Sequence, residues 1–216
     1  MKTLIASLVL MVGCAASGEH EIIKVVGRLE SIACTRLPDA ESILPIDGIL
    51  PFLARGDTVG AMNNIIDVAD DYSCESIIEA VCETADAMVG MKDDVYAERL
   101  YLFALANSVA NSYSFGKNGS VSYVSGDMCR DEALSELTRF AVDRNDGKSA
   151  IEYSIRRVIE NPLDPDAWQQ FSDNEARFNT VIFDEYLLRR KLCALAERRM
   201  LQTPAHLAAV RWCGRN

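Results

Sequence analysis

Cysteine is the residue type with the widest chemistry in this 216-residue chain. Its thiol can form a disulfide, bind a metal or attack a substrate. Zinc sites need close ligand pairs on one element, but the chain has no CxxC pair, and its only histidines are His20 and His206. We therefore expect neither a metal nor another cofactor. The seven cysteines are Cys14, Cys34, Cys74, Cys82, Cys129, Cys193 and Cys213.

The six cysteines after Cys14 are an even number, which is typical of disulfides in an oxidising compartment. One pairing can be predicted from a helical hairpin near the end of the chain. Its first helix ends near residue 201, and Thr203 can cap a second helix that starts with Pro204. Cys193 and Cys213 lie equally far from that turn, so they come level across an antiparallel pair and can form a disulfide. The pairing of the other four stays open. Cys74 and Cys82, about 12 Å apart on one helix, need different partners.

Acidic residues are concentrated between residues 57 and 98, where eleven carboxylates accompany a single base, Lys92. One interpretation is a face that binds a basic protein partner. The alternative is an ordinary solvated surface attracted to residues 186–216, which carry seven bases and one acid. The net charge of −10 argues against nucleic acid, because that binding rests on neutralising phosphates. The candidate acidic face consists of Asp67, Asp70, Asp71, Glu75, Glu79 and Glu83.

No arrangement of a nucleophile with a base stands out, so we expect no catalytic residue and no enzymatic activity. A hydrolase whose carboxylates meet only in the fold remains an alternative. Residues 143–152 have the composition of a calcium-binding loop. Gly147 is fifth rather than sixth, however, and Glu152 is tenth rather than twelfth, so the segment predicts a capped turn.

The N-terminus combines one positive charge, an apolar run of about nine residues and small residues, which is typical of a signal peptide over residues 1–18. Met11-Val12-Gly13-Cys14 resembles the lipobox of bacterial lipoproteins. That resemblance implies cleavage before Cys14 and lipidation of its thiol, with the protein anchored in the periplasm or at the outer membrane. The alternative cut, after Gly18, would give a soluble or secreted protein. No later apolar stretch has the length of roughly 20 residues that a membrane-spanning helix needs.

Helical spacing of apolar residues, with capping residues before it, predicts a mostly helical chain. Helices are expected at 19–35, from 58 to 72 after Asp57, from 74 to about 89 after Ser73, and at 93–113. A loop with one short helix should occupy 37–56, because this segment is rich in proline and glycine. Residues 114–126 predict an irregular loop or a short strand.

Residues 131–164 show two helical segments joined by Asn145-Asp146-Gly147 and ended by Pro162. This 34-residue spacing resembles the tetratricopeptide repeat. Leu134, Leu137, Thr138, Ala150 and Pro162 stand at its preferred positions, and Trp168, Phe171 and Ser172 restart the phase. Ser154 and Arg157 depart from the repeat, which prefers an aromatic residue and an alanine there. An ordinary helical hairpin is the alternative.

These features predict an all-α domain over residues 19–216, built of about seven or eight helices stacked as antiparallel hairpins and held by disulfides. We expect an exported envelope protein that binds another protein, such as a basic one, or helps an assembly form. Its only membrane contact would be the lipid anchor. The first alternative is a periplasmic inhibitor or immunity protein, and the second is the hydrolase.

Overall fold

A computed structural model describes residues 20–32, 46–115, 121–124, 126, 129–162 and 164–178. The predicted lipidation site, the predicted Cys193–Cys213 disulfide and the expected terminal helices lie outside these residues. The chain divides into two compact units, Met1–Phe103 and Ala104–Asn216. Among the described residues, no helix is both long enough and apolar enough to cross a membrane.

The first unit is a bundle of short helices. Its helices are α1 (20–30), α2 (Ile46–Leu53), α3 (Thr58–Val68), α4 (Cys74–Gly90) and the first turns of α5 (Asp94–Asn107). Helix α2 packs on both α3 and α4, and α3 packs on α4. The most buried side chains come from every helix of the unit, which gives it one shared core. They include Val26, Leu29, Ile49, Met62, Ile65, Ile77, Val81, Met88, Leu100 and Tyr101.

Two side-chain caps fix where α3 and α4 begin. The Asp57 carboxylate accepts a hydrogen bond of 2.8 Å from the backbone N–H of Gly60. The Ser73 hydroxyl accepts one of 3.2 Å from the N–H of Ser76. Each cap satisfies a backbone donor that the first turn of a helix cannot bond internally. Both caps were predicted from the sequence and are confirmed.

The second unit contains the end of α5, a two-stranded hairpin and three helices. Strands β1 (Ser112–Phe115) and β2 (Val121–Val124) pair antiparallel, with Tyr113 opposite Tyr123. Helices α6 (Cys129–Asp143), α7 (Gly147–Glu160) and α8 (Pro165–Phe178) follow, and each packs on the next. The described core of these three helices is formed by Ala133, Leu134, Leu137, Phe140, Ala150, Ile151, Val158, Trp168 and Phe171.

A tight turn joins α6 to α7. Asn145 takes the left-handed backbone conformation, with φ of 57°, which asparagine tolerates better than most residues. The Asp146 carboxylate then caps α7 by accepting from the N–H of Ser149 at 3.2 Å. The segment is therefore the capped turn that its spacing predicted.

The all-α fold class is confirmed, with eight helices among the described residues and the short hairpin near the expected irregular segment. Several boundaries differ. Helix α3 ends at Val68 rather than near 72, and α5 ends at Asn107 rather than 113, because Ser112 and Tyr113 belong to β1 instead. Ile23, one of the apolar residues whose spacing predicts the helix at 19–35, is 46% exposed, while Val25 is buried.

Candidate functional site

Three glutamates form a line along the exposed side of α4. Glu75, Glu79 and Glu83 are spaced four residues apart, so they project from one face over about 12 Å of helix. Glu75 and Glu83 are exposed and Glu79 is half-buried. Among the described residues, no lysine or arginine forms an ion pair with any of the three. We call this line of three carboxylates the acidic stripe.

The acidic stripe perturbs its own central member. The pKa of the Glu79 carboxyl is raised above its ordinary value, first by partial burial and then by the negative charges of Glu83 and Glu75. Burial and nearby like charge both disfavour the ionised form of an acid. At neutral pH the folded chain thus keeps these charges close together at a cost in free energy, and a positive group placed beside them would be attracted.

The other predicted members of the acidic face lie elsewhere along the chain. Asp67 is exposed on α3, while Asp70 and Asp71 are exposed in the turn that leads into α4. The carboxylates whose charges raise the pKa of Glu79 are Glu83 and Glu75. The acidic stripe is therefore the part of the predicted face that the structure brings together.

A second polar site is buried in the second unit. The Arg130 guanidinium, at the start of α6, binds both carboxylate oxygens of Glu160, at the end of α7. The two distances are 2.5 Å from Nε and 2.9 Å from Nη2. Both residues are buried, with exposures of 5% and 7%. The Nη1 atom of Arg130 donates to the carbonyl of Leu105 and to the carbonyl and hydroxyl of Ser108.

A parallel ion pair lies next to it. The Arg157 guanidinium binds Asp131 through Nε at 3.0 Å and Nη2 at 2.9 Å, and it also binds Asp164 at 3.0 Å. Burial lowers the pKa of Arg157. The hydrogen bond and charge of Asp131 and the charge of Asp164 together raise it by more, so the pKa of Arg157 lies above its ordinary value. Asn161 donates to Asp131 at 2.5 Å.

These two ion pairs were missed in the sequence, although a signal was present. Arg130 and Glu160 lie equally far from Asn145, so an antiparallel hairpin that turns there brings them level. Arg157, which departs from the repeat pattern at an alanine position, is the partner of Asp131. Because the donors of Arg130 and the oxygens of Glu160 are bonded inside the protein, this cluster holds helices together rather than offering a group to a substrate.

The cysteines that the structure describes are all oxidised. Cys74, Cys82 and Cys129 are each disulfide-bonded, in agreement with the expectation of a disulfide-stapled fold. Cys14, Cys34, Cys193 and Cys213 lie outside the described residues, as does His206. Within the described ranges, no group of three histidine, cysteine, aspartate or glutamate side chains is arranged to hold a metal ion.

The residues that carry the repeat resemblance face inward, apart from Ser172, which is half-buried. Leu134, Leu137, Thr138, Ala150 and Pro162 are buried, and so are Trp168 and Phe171. The Trp168 indole N–H donates to the carbonyl of Pro162 at 2.9 Å, which fastens α8 to the end of α7. Comparison of the chain with protein-family models, curated proteins and solved structures gives no match. The tetratricopeptide resemblance stays a prediction.

Proposed function

We propose that this chain is an exported envelope protein that binds a basic protein partner through the acidic stripe on α4. The observation that carries the proposal is the clustering of Glu75, Glu79 and Glu83 on one helix face without a cation from any described residue. Like charges at this spacing destabilise a helix by a few tenths of a kcal/mol per pair. Lysine or arginine side chains of a partner would turn that repulsion into attraction.

A binding surface of this kind has a recognisable signature. A substitution that removes one of the crowded charges, such as Glu79→Gln, stabilises the isolated protein and weakens the complex. Replacing a residue with a purely structural role would instead lower the stability of the isolated protein. Binding through exposed carboxylates also weakens as salt increases, since exposed charges are screened over about 8–10 Å at physiological ionic strength.

Site-specific photo-crosslinking in the intact envelope tests the proposal. A photoreactive residue at position 79 should give a discrete protein adduct, and Glu75→Gln with Glu83→Gln should reduce it strongly. The matched control carries the photoreactive residue at position 47 instead, because Asp47 is also exposed and acidic on a helix of the same unit. The proposal fails if position 79 gives no discrete adduct, or if its adduct is as strong at high salt as at low salt.

Export is the second part of the proposal. It is supported by the signal-like residues 1–18 and by three disulfide-bonded cysteines, which fit an oxidising compartment. We propose lipidation at Cys14, so that the mature protein fractionates with membranes. Replacing Cys14 with serine should release it. Mass spectrometry showing an unmodified N-terminus at Glu19 would instead establish the soluble form.

An inhibitor or immunity protein is the second candidate. An exposed acidic surface on a disulfide-bonded chain also suits the neutralisation of a basic enzyme. The adducts at position 79 separate the two functions. A single basic enzyme, inactivated in proportion to the complex formed, supports the inhibitor, whereas a non-enzymatic envelope component supports the assembly module.

A further inference from the structure

An open cleft of about 410 Å³ lies between α1 and α3 in the first unit. This volume is within the range of small-molecule sites, roughly 300–1,000 Å³. Five of its lining residues belong to α1, and Asn63 belongs to α3. Val25, which is buried, contributes an apolar wall. The lining consists of His20, Glu21, Lys24, Val25, Arg28 and Asn63.

The cleft has an excess of hydrogen-bond donors. His20, Lys24 and Arg28 follow one another at intervals of four residues, so they share one side of α1. Glu21 is the only carboxylate of the lining, and within the described part of the chain it forms no ion pair with Lys24 or Arg28. The two cations therefore repel each other along the helix, and no described carboxylate forms an ion pair with either of them.

Arg28 is held in place and still has donors available. Its Nη1 atom donates to the Asn63 side-chain oxygen at 3.1 Å. A guanidinium has five N–H groups, and no described residue accepts from Nε or Nη2 of Arg28. Because the Asn63 oxygen is used as the acceptor, its amide keeps two N–H donors for another molecule. The contact thus positions two donor side chains from different helices at the cleft.

We propose that this cleft binds a phosphate group, with Arg28, Lys24 and the Asn63 amide as its donors. A planar guanidinium matches the oxygens of a phosphate in pairs, and a lysine adds a compact positive charge. Since the cleft is open to solvent, the phosphate can belong to a larger molecule that extends outward. Its source is either a soluble phosphate ester or the headgroup of a phospholipid.

The lipid source has a geometric basis that rests on the proposed function. If Cys14 carries a lipid, only five residues separate the anchor from His20, and the six Cα-to-Cα steps reach at most about 21 Å. The cleft would then be held near the bilayer surface. The phosphate site itself does not depend on the anchor or on the acidic stripe, so either proposal can fail alone.

Titration of the unlipidated full chain, carrying Cys14→Ser, provides the test. The probes are inorganic phosphate, glycerol phosphate and phosphatidylglycerol vesicles. Wild-type residues in the cleft should bind phosphate with a dissociation constant below about 10 mM. Arg28→Gln should weaken binding about tenfold or more, and Lys24→Gln should weaken it severalfold. Glu21→Gln should strengthen it.

Lys92→Gln is the matched control, because it removes one exposed positive charge from the same unit outside the cleft. Circular dichroism should be unchanged in all of these variants, whose side chains lie at the surface. Vesicle binding that is lost in Arg28→Gln identifies a headgroup site, while binding of the two soluble phosphates alone identifies a soluble ester. The proposal is overturned if no phosphate probe binds, or if Lys92→Gln weakens binding as much as Arg28→Gln.

Discussion

The buried ion pair between Arg130 and Glu160 allows a quantitative test of how the second unit is held together. Each residue is more than nine-tenths buried, and the Glu160 carboxylate also accepts from Arg156 at 3.1 Å. Breaking a buried pair by removing one partner costs about 3–5 kcal/mol, because the remaining charge is left without compensation. Replacing both partners with apolar residues of similar size is far less costly.

The surroundings of each residue place the single variants within that range. Glu160→Met leaves the guanidinium of Arg130 with its hydrogen bonds to Leu105 and Ser108. We therefore expect the free energy of unfolding to fall by about 3 kcal/mol, the lower limit of that range. Arg130→Met leaves a buried carboxylate with only Arg156 and removes one hydrogen bond from each of the carbonyls of Leu105 and Ser108, so we expect a loss of about 4–5 kcal/mol in the free energy of unfolding. The double variant should lose about 2 kcal/mol, mainly through those carbonyls.

Urea denaturation with all disulfides intact measures these losses. Trp168, buried in α8 of the same unit, is the fluorescent probe in a Trp212→Phe background. The control is the Arg139–Glu136 pair of the same unit, which is joined at 2.8 Å but is about one-third exposed. Arg139→Met should lower the free energy of unfolding by at most about 1 kcal/mol. The reasoning is refuted if Glu160→Met costs no more than this control, or if the double variant is less stable than both single variants.

Three further predictions concern single sites. Because the pKa of Glu79 is raised, its charge destabilises the fold as pH increases through that pKa. Glu79→Gln should therefore increase the free energy of unfolding by a few tenths of a kcal/mol at pH 7. Below the ordinary carboxyl pKa of about 4.3 the substitution should have no effect. Asp146→Ala should cost about 1 kcal/mol at pH 7 in a chemical denaturation curve. Hydrogen bonds from the Ser149 side chain and N–H lower the pKa of Asp146, so its contribution is present above the ordinary value of about 3.9 and disappears as pH falls through the lowered pKa. Non-reducing peptide mapping should recover Cys193 linked to Cys213; a free Cys213 thiol, or one linked elsewhere, would contradict the predicted hairpin.

The elements that the sequence predicts best are those decided by local chemistry. Asp57 and Ser73 cap helices wherever they precede a suitable apolar pattern. On α4 the five apolar residues at helical spacing are all buried, namely Ile77, Ile78, Val81, Ala85 and Met88. The pattern was less informative for α1, where Ile22 and Ile23 are adjacent and the sequence alone does not decide which one faces the core. Helix α5 was predicted too long because pairing of β1 with β2 competes with helix continuation after Asn107.

For the candidate sites too, the sequence predicts contacts within one helix better than contacts between helices. A spacing of four residues was sufficient to group Glu75, Glu79 and Glu83, since all three lie on one helix. Whether Asp67 joins them depends on how α3 packs on α4, which no local pattern specifies. The contact between Arg28 and Asn63 spans 35 positions in the chain, and the cleft it borders leaves no local signature.

The packing of each helix in the second unit on its neighbour in the chain has a consequence for the order of folding. Contacts between α6 and α7, and between α7 and α8, close only short loops, and proteins rich in such local contacts fold in microseconds to milliseconds. Disulfide formation takes seconds to hours. Because folding is the faster process, the helices should already be formed when the thiol of Cys129, the first residue of α6, is oxidised. Chain topology would then present this cysteine to its oxidant at the end of a preformed helix, and oxidation would preserve a fold that already exists.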